Sequence, residues 1–325
     1  MIKIDLKDRK ILYELDLNCR QSNSQIGKKV GLKRDVVAYR INQMQKEGII
    51  KYFWTVIDTF KLGYNVFRVY FNFQDISKNE KNELINDFVD YKNSWAVFSI
   101  AGPIDFGAVI WVKNIYEFNN FIDNIFNKFG KYISKKIISV YVQADEYEKT
   151  YLLSNEIKKR ERIKFTINCG EEKVDIDEID FKLLNIISLN ARIPLIDLSS
   201  KLNTSSQTIN YRIQKLIKSG LIKGFRVEID LSIFGLQYFD VRLTLADHSF
   251  RKKIIDFFQS KPYFKCINTA FGYADLELEL ILQNMDNLIK IMDELNEKFP
   301  HVIRNYHYFK YRDCHKERWL PELFK

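Results

Sequence analysis

Two segments at equivalent places in the chain carry side chains whose types and spacing suit the reading of base edges. They are Arg34, Asp35, Ala38, Tyr39 and Asn42 in the first, and Ser206, Gln207, Asn210, Tyr211 and Gln214 in the second. In a helix that packs through Val37, Ile41 and Met44, or through Ile209, Ile213 and Leu216, those positions share the opposite face. An Arg guanidinium can donate two parallel bonds to guanine O6 and N7, and an Asn or Gln amide can pair with adenine N6 and N7. Around them stand Lys28, Lys29, Lys33, Arg40, Lys201, Arg212 and Lys215, cations suited to phosphates, which fix register without reading sequence. For any one of these residues a solvated helix surface is the ordinary explanation. Their coincidence on one helix, twice in the chain, favours a nucleic-acid interface. Asp35 can accept from a cytosine amine, but pairing with Lys33 or Arg34 accounts for it more simply.

The charge balance agrees with that chemistry. Among 325 residues, 51 Lys and Arg outnumber 42 Asp and Glu, a net charge of +9 that favours polyanionic partners where it is clustered. The excess gathers in Cys19 to Lys46, where Asp35 is the single acid, and in Leu198 to Val227, which holds none. With 12 Gly and 5 Pro, the chain should be mostly helix and strand joined by short turns. Four cysteines, at 19, 169, 266 and 314, show no metal-site or disulfide spacing, so no metal and no cofactor is expected. The apolar stretch Ala96 to Val112 is interrupted by Gly102, Pro103 and Asp105 and cannot cross a membrane. With a start that lacks an apolar signal region, this reads as a cytoplasmic protein with reduced thiols.

Internal repetition organises the elements. DRKIL (8–12) recurs as DFKLL (180–184), NCR (18–20) as NAR (190–192), YRI (39–41) as YRI (211–213) and GIIK (48–51) as GLIK (220–223), without a gap. After a two-residue slip Gly102 and Asp105 fall on Gly272 and Asp275. Each unit opens with three short amphipathic helices, the second and third joined by a tight turn at 31–33 or 203–205, as in a helix-turn-helix. Ser205 can cap the third helix of the second unit, and Lys33 cannot do so in the first. A strand follows at 51–58 and at 223–230. The rest of unit one alternates as Val66 to Phe73, helix Lys78 to Tyr91, Trp95 to Ile100, Phe106 to Val112, helix Ile115 to Phe129, and Ile137 to Val142. That order is βαββαβ, a ferredoxin-like motif with both helices on one sheet face. Its other face is too apolar to stay exposed and should be buried against the sheet of the other unit.

The fold class is therefore α+β: two winged helix-turn-helix modules and two ferredoxin-like βαββαβ domains in tandem. The boundaries are 1–63 and 175–235 for the helix-turn-helix modules, 64–154 and 236–325 for the ferredoxin-like domains, and 155–174 for a charged linker.

The pattern D-R-K-I-L, N-x-R, the GLK turn, V-x-x-x-I-x-x-M, E-G-I-I-K and V-I-D-x-x-x-L-G resembles the Lrp/AsnC family of leucine-responsive regulators, over nearly the whole chain and twice. The resemblance implies double-stranded DNA as partner, and pairing of two units through their second domains. In a duplicated chain that pairing is an intrachain pseudo-dimer, which can itself assemble into larger homo-oligomers. It also implies a small effector, commonly an amino acid, near Gly102, Asp105, Gly272 and Asp275. A plain turn is the alternative role for those four residues. Lys33 in place of a small cap, the acidic Asp35, and Asn203-Thr204 in place of Gly-Leu depart from the pattern. The unlike reading faces predict an asymmetric operator with half-sites about 34 Å apart. About six neutralised phosphates give a salt slope of roughly −5.

Two other readings compete with DNA binding. Siroheme decarboxylases are similar to this family and would call for well-placed His and Arg, whereas the first unit has no His, and His248, His301, His307 and His315 are scattered. A metabolite-sensing partner protein without DNA binding is the other. A regulator should show a basic face across both helix-turn-helix modules, and a decarboxylase a basic cavity inside the paired sheets. No catalytic residue is assigned, and the chain reads as a regulator and not an enzyme.

Overall fold

The computed structural model describes residues 4–153 and 162–322. In the first module α1 (Leu6–Leu17) starts at a reciprocal cap between Asp5 and Asp8, and α2 (Asn23–Val30) at one between Ser22 and Gln25. Gly31 closes α2 at φ +69°, a conformation that glycine adopts without strain. Next come α3 (Arg34–Lys46) and β1 (Ile50–Ile57). The ferredoxin-like part follows as β2 (Asn65–Phe73), α4 (Lys78–Asp90), β3 (Ser94–Ala101), β4 (Phe106–Val112), α5 (Ile115–Phe129) and β5 (Ile133–Tyr147). A short strand, β6 (Lys164–Asn168), leads into the second unit. There α6 (Glu178–Ser188), α7 (Leu195–Lys201), α8 (Ser206–Lys218) and β7 (Ile222–Ile229) repeat the module. The chain continues through β8 (Gln237–Leu245), α9 (Arg251–Gln259), β9 (Phe264–Phe271), β10 (Leu276–Leu282), α10 (Met285–Lys298) and β11 (Ile303–Glu317). No helix of the described residues is long and apolar enough to cross a membrane.

The two units are not merely stacked. Both four-stranded sheets join at their edges into one ring, β2-β4-β3-β11-β8-β10-β9-β5, which closes because β5 also pairs with β2. The expected burial of one sheet face against the other is thus corrected: the helix-free faces become the inside of a closed ring, with no sheet edge left between units. The device is the length of the last strand of each unit. Its first half pairs within its own unit, as Phe73 with Ile133 and Phe67 with Val140, and its second half with the other unit, as Val140 with Phe271 and Glu146 with Cys266. β11 does the same, pairing with β8 and then β3. The expected strand at 137–142 covered only the apolar middle: the polar start pairs with β2 of its own unit, and the polar end beyond Val142 is ordered by a partner in the other unit.

The stretch 155–174 also differs from a plain tether. Lys164 to Asn168 alternates polar and apolar residues, and pairs with Gln143 to Tyr147 on the rim of the ring. Phe165 lies over Gly224, where a Cβ would come within 2.3 Å of its ring, so this glycine leaves the space that the ring fills. The more basic part of the linker lies outside the described residues.

Candidate functional site

α3 and α8 present the side chains singled out from their spacing. Val37, Ile41 and Met44 are buried, as are Ile209, Ile213 and Leu216. Lys28, Lys33, Arg34, Tyr39 and Asn42 are exposed in the first module, and Lys201, Gln207, Asn210, Tyr211 and Lys215 in the second. Tyr39 and Tyr211 occupy matching positions and each is 68% exposed, unusual for a large ring without a partner. Ser205 caps α8 by accepting the Thr208 amide, whereas α3 has no side-chain cap at Lys33. Asp35 stands 4.0 Å from the Arg34 guanidinium, with both side chains in solvent.

Three of the predicted phosphate cations are otherwise engaged. Arg40 donates to Asp5 and Asp8 at 2.8 and 2.7 Å, and Arg212 to Asp177 and Asp180 at 2.7 Å each. These pairs tie the reading helix to the carboxylates that start the first helix of its module, so both arginines are corrected from phosphate holders to braces. Each guanidinium is held above its ordinary pKa by these carboxylate bonds. Lys29 is bound to Glu14 at 2.6 Å. Ser206 is half-buried and donates to Ser199, which withdraws it from the reading face.

The two modules share a core and a pseudo-twofold axis. β1 and β7 pair antiparallel with Ile50 opposite Ile229, Ile57 opposite Ile222, and Trp54 opposite Arg226. Trp54 and Arg226 are the same position of the repeat, so the axis passes between them. The repeated N-x-R motif is a clasp across this axis: Arg20 donates to the Ala191 carbonyl at 2.6 Å, and Arg192 to the carbonyls of Cys19 and Gln21. Beneath it Arg226, wholly buried, donates to both oxygens of Asp16, which also accepts the Lys149 ammonium at 3.0 Å. Burial alone would raise the Asp16 carboxyl, but Arg226 and Lys149 hold it below the usual carboxylate range. Both Arg20 and Arg226 belong to the basic segments of the sequence, yet a backbone carbonyl of the other unit holds Arg20 across the axis and Asp16 of the other unit brings Arg226 inside.

The loops expected to meet an effector are built as turns. Asp105 accepts the Phe73 amide at 2.9 Å and Asp275 the Leu245 amide at 2.7 Å, each carboxylate closing its own sheet corner. Gly102 and Gly272 lie at φ +134° and +109°, and a Cβ at Gly272 would reach 2.3 Å from the Ile138 carbonyl of the other unit. Both residues are therefore explained by close packing of the ring.

Inside the ring lies a cavity of about 330 Å³ lined by both units. All four tryptophans of the chain are among its walls. Trp54 stacks on Trp319 at 4.0 Å between ring centres, and Trp95 on Trp111 at 5.2 Å. Glu146, Glu228, Asp240, Glu279 and Glu317 supply carboxylates, against the cations of Arg68, Arg242 and Lys265. Glu277, behind the wall, bridges Arg68 and Arg242, and Asp240 accepts from Arg242 at 2.6 Å. Burial works against the Glu279 carboxylate, yet Lys265 at 2.9 Å, Asn268 and Tyr238 hold its pKa down to about 2. No histidine lines the cavity.

Comparison with known proteins meets this geometry module by module. A winged helix-turn-helix DNA-binding family matches residues 4–51 and again 176–223. An uncharacterized helix-turn-helix-type transcriptional regulator of Pyrococcus abyssi is 34% identical over 128 residues, which cover 39% of this chain and 86% of that protein. The regulator LrpA of Bacillus subtilis is 32% identical over 99 residues, 30% of this chain and 66% of its own length. The chain belongs to the Lrp/AsnC family of helix-turn-helix transcriptional regulators. It is a tandem form of that family, since one relative fills about one unit. Across the whole chain it shares the fold of the siroheme decarboxylase NirDL, with a TM-score of 0.65 at 10% identity over 96% of this chain and 93% of that one.

Membership in the Lrp/AsnC family leaves the interior of this chain to be read from its own residues. A basic cavity was the mark set for a decarboxylase, and the lining instead carries more carboxylates than cations. Only ring closure brings residues 54, 95, 111 and 319 to one place, and no periodicity links them.

Proposed function

We propose that this Lrp/AsnC-type chain is a sequence-specific DNA-binding transcriptional regulator in which one polypeptide supplies both half-site readers and acts as its own dimer. The observation that carries the reading is the pair of exposed, chemically unlike faces on α3 and α8, held in modules that pair about one axis. Arg34 and Asn42 in one, and Gln207 and Asn210 in the other, have the donors and acceptors for guanine and adenine edges. Tyr39 and Tyr211 add apolar contact and a hydroxyl at matching places. Lys28, Lys33, Lys201 and Lys215 hold phosphates beside them. Two unlike readers select an asymmetric operator, with half-sites about one helical turn apart. Modulation by a small effector is part of this reading.

The test is selection of bound fragments from genomic DNA with the purified chain, repeated with Arg34→Ala and with Asn210→Ala. Each substitution should relax preference at a different half-site and cost about 1–3 kcal/mol there. Identical fragment sets from all three proteins would refute the assignment of readers.

A further inference from the structure

The duplication has let the two halves of the ring interior diverge. Positions that the repeat makes equivalent carry Trp54 and Arg226, Trp95 and Lys265, Trp111 and Ile281. Trp319 lies two residues past the end of β11, where Lys149 lies two past the end of β5. In one half of the interior, then, three of the four places are cations. Those cations are neutralised: Arg226 by Asp16 and Glu146, Lys149 by Asp16 and Glu228, and Lys265 by Glu279. In the other half the same places are indole rings, and the wall between them stays open as the cavity. A true homodimer could not make this distinction, because each change would appear in both halves.

From this asymmetry we propose that the cavity binds one small organic cation per chain, a protonated amine on a flat apolar body no larger than about an indole. Three observations converge on that chemistry. The aromatic wall offers ring faces, which attract a cation and pack against a flat apolar group. The charge is unbalanced in favour of acid, with five carboxylates against three cations in the lining. Counting the groups behind the wall leaves the same numerical surplus, because Asp16 and Glu277 are offset by Arg226 and Lys149. Those two cations also pair with Glu146 at 3.0 Å and Glu228 at 3.7 Å, which leaves Glu317 as the lining carboxylate with no cation paired to it among the described residues. Glu317, at the open mouth next to Trp319, has the Tyr52 hydroxyl at 2.6 Å as its bonded partner. Finally, Trp54 is 2% exposed and its indole N–H has no hydrogen-bond partner, a donor left for an acceptor on the ligand's body. An anion would find Arg68, Arg242 and Lys265 already held by carboxylates. The volume, about 330 Å³, is at the small end for ligand pockets and suits a single ring with a short arm. An eight-stranded closed sheet is also the size that encloses one small ligand.

All four tryptophans wall the site, so intrinsic fluorescence reports on it directly, and the titration needs no DNA, which separates this proposal from the reading of the helices. The full chain is titrated with phenethylamine, with 2-phenylethanol as the neutral match and with 3-phenylpropionate as the anionic one, following tryptophan emission and the thermal midpoint. The amine should quench saturably and bind roughly tenfold or more tighter than the alcohol, with the carboxylate weakest. Glu317→Gln should erase most of the preference for the amine over the alcohol, whereas Trp319→Leu should weaken both. Glu228→Gln, on the strand beside Tyr52 and so on the same side as Glu317, is the second variant if Glu317→Gln lowers the thermal midpoint by itself. Equal or tighter binding of 3-phenylpropionate, an amine preference that survives both carboxylate variants, or the absence of saturation by any of the three would overturn the proposal.

Discussion

Consider Lys201→Gln and Arg212→Gln, two substitutions that each remove one positive charge from the second module. Lys201 is exposed, whereas Arg212 is bound to Asp177 and Asp180 at 2.7 Å, with the Asp180 side chain 1% exposed. Five cations flanking or on the reading faces are not tied to a carboxylate closer than 4.0 Å among the described residues: Lys28, Lys33, Arg34, Lys201 and Lys215. If each neutralises one phosphate, log K falls with log salt at a slope of roughly −4.5, somewhat shallower than the cation count of the sequence suggests. Between 50 and 200 mM salt that is a loss of about 500-fold in affinity; with Lys201→Gln it becomes about 150-fold. Arg212→Gln should leave the slope within about 0.3 of the parent while lowering stability by on the order of 1–3 kcal/mol, because a buried carboxylate loses its partner. Fluorescence anisotropy of a labelled operator over a potassium chloride series, at a temperature where both variants are folded, measures the slopes. An equal change of slope in both variants would mean that Arg212 leaves its carboxylates for DNA, and the bracing role would be wrong. A flat salt dependence of the parent would remove the DNA reading altogether.

Three further outcomes follow from the packing. Asp16→Ala strands Arg226 and Lys149 inside the shared core and should cost about 3–5 kcal/mol in urea unfolding. Since the folded Asp16 carboxyl lies below its unfolded value, its contribution is present above the ordinary carboxylate pKa and is lost as pH falls through the folded one, so acid unfolding of Asp16→Ala should be shallower than that of the parent. At the helix starts, Ser205→Ala should destabilise by about 1 kcal/mol, and Lys33→Ser should stabilise by about 0.5–1 kcal/mol, both read in thermal unfolding. Gly272→Ala should be more damaging than Gly102→Ala, because its added Cβ meets a carbonyl oxygen at 2.3 Å rather than 3.1 Å; equal effects would place the cost in the positive φ that both share.

Much of the architecture is legible in local residue pattern. Helix stripes such as Val37, Ile41 and Met44, the caps at Ser22 and Ser205, and the turn at Gly31 depend on neighbours within a few positions, so they can be read along the chain. The repeat tells that whatever one unit does, the other must accommodate, and the outward faces of α3 and α8 follow from helical geometry alone. Long-range pairing cannot be read that way. The ends of β5 and β11 are too polar to announce themselves as strands, and their second halves are ordered by backbone partners in the other unit. Arg40 and Arg212 look identical in sequence to lysines that reach solvent, until Asp8 and Asp180 are brought beside them. The four tryptophans, spaced without any period, become one wall only when the sheet edges meet, because a closed ring gathers residues by strand register and not by distance along the chain.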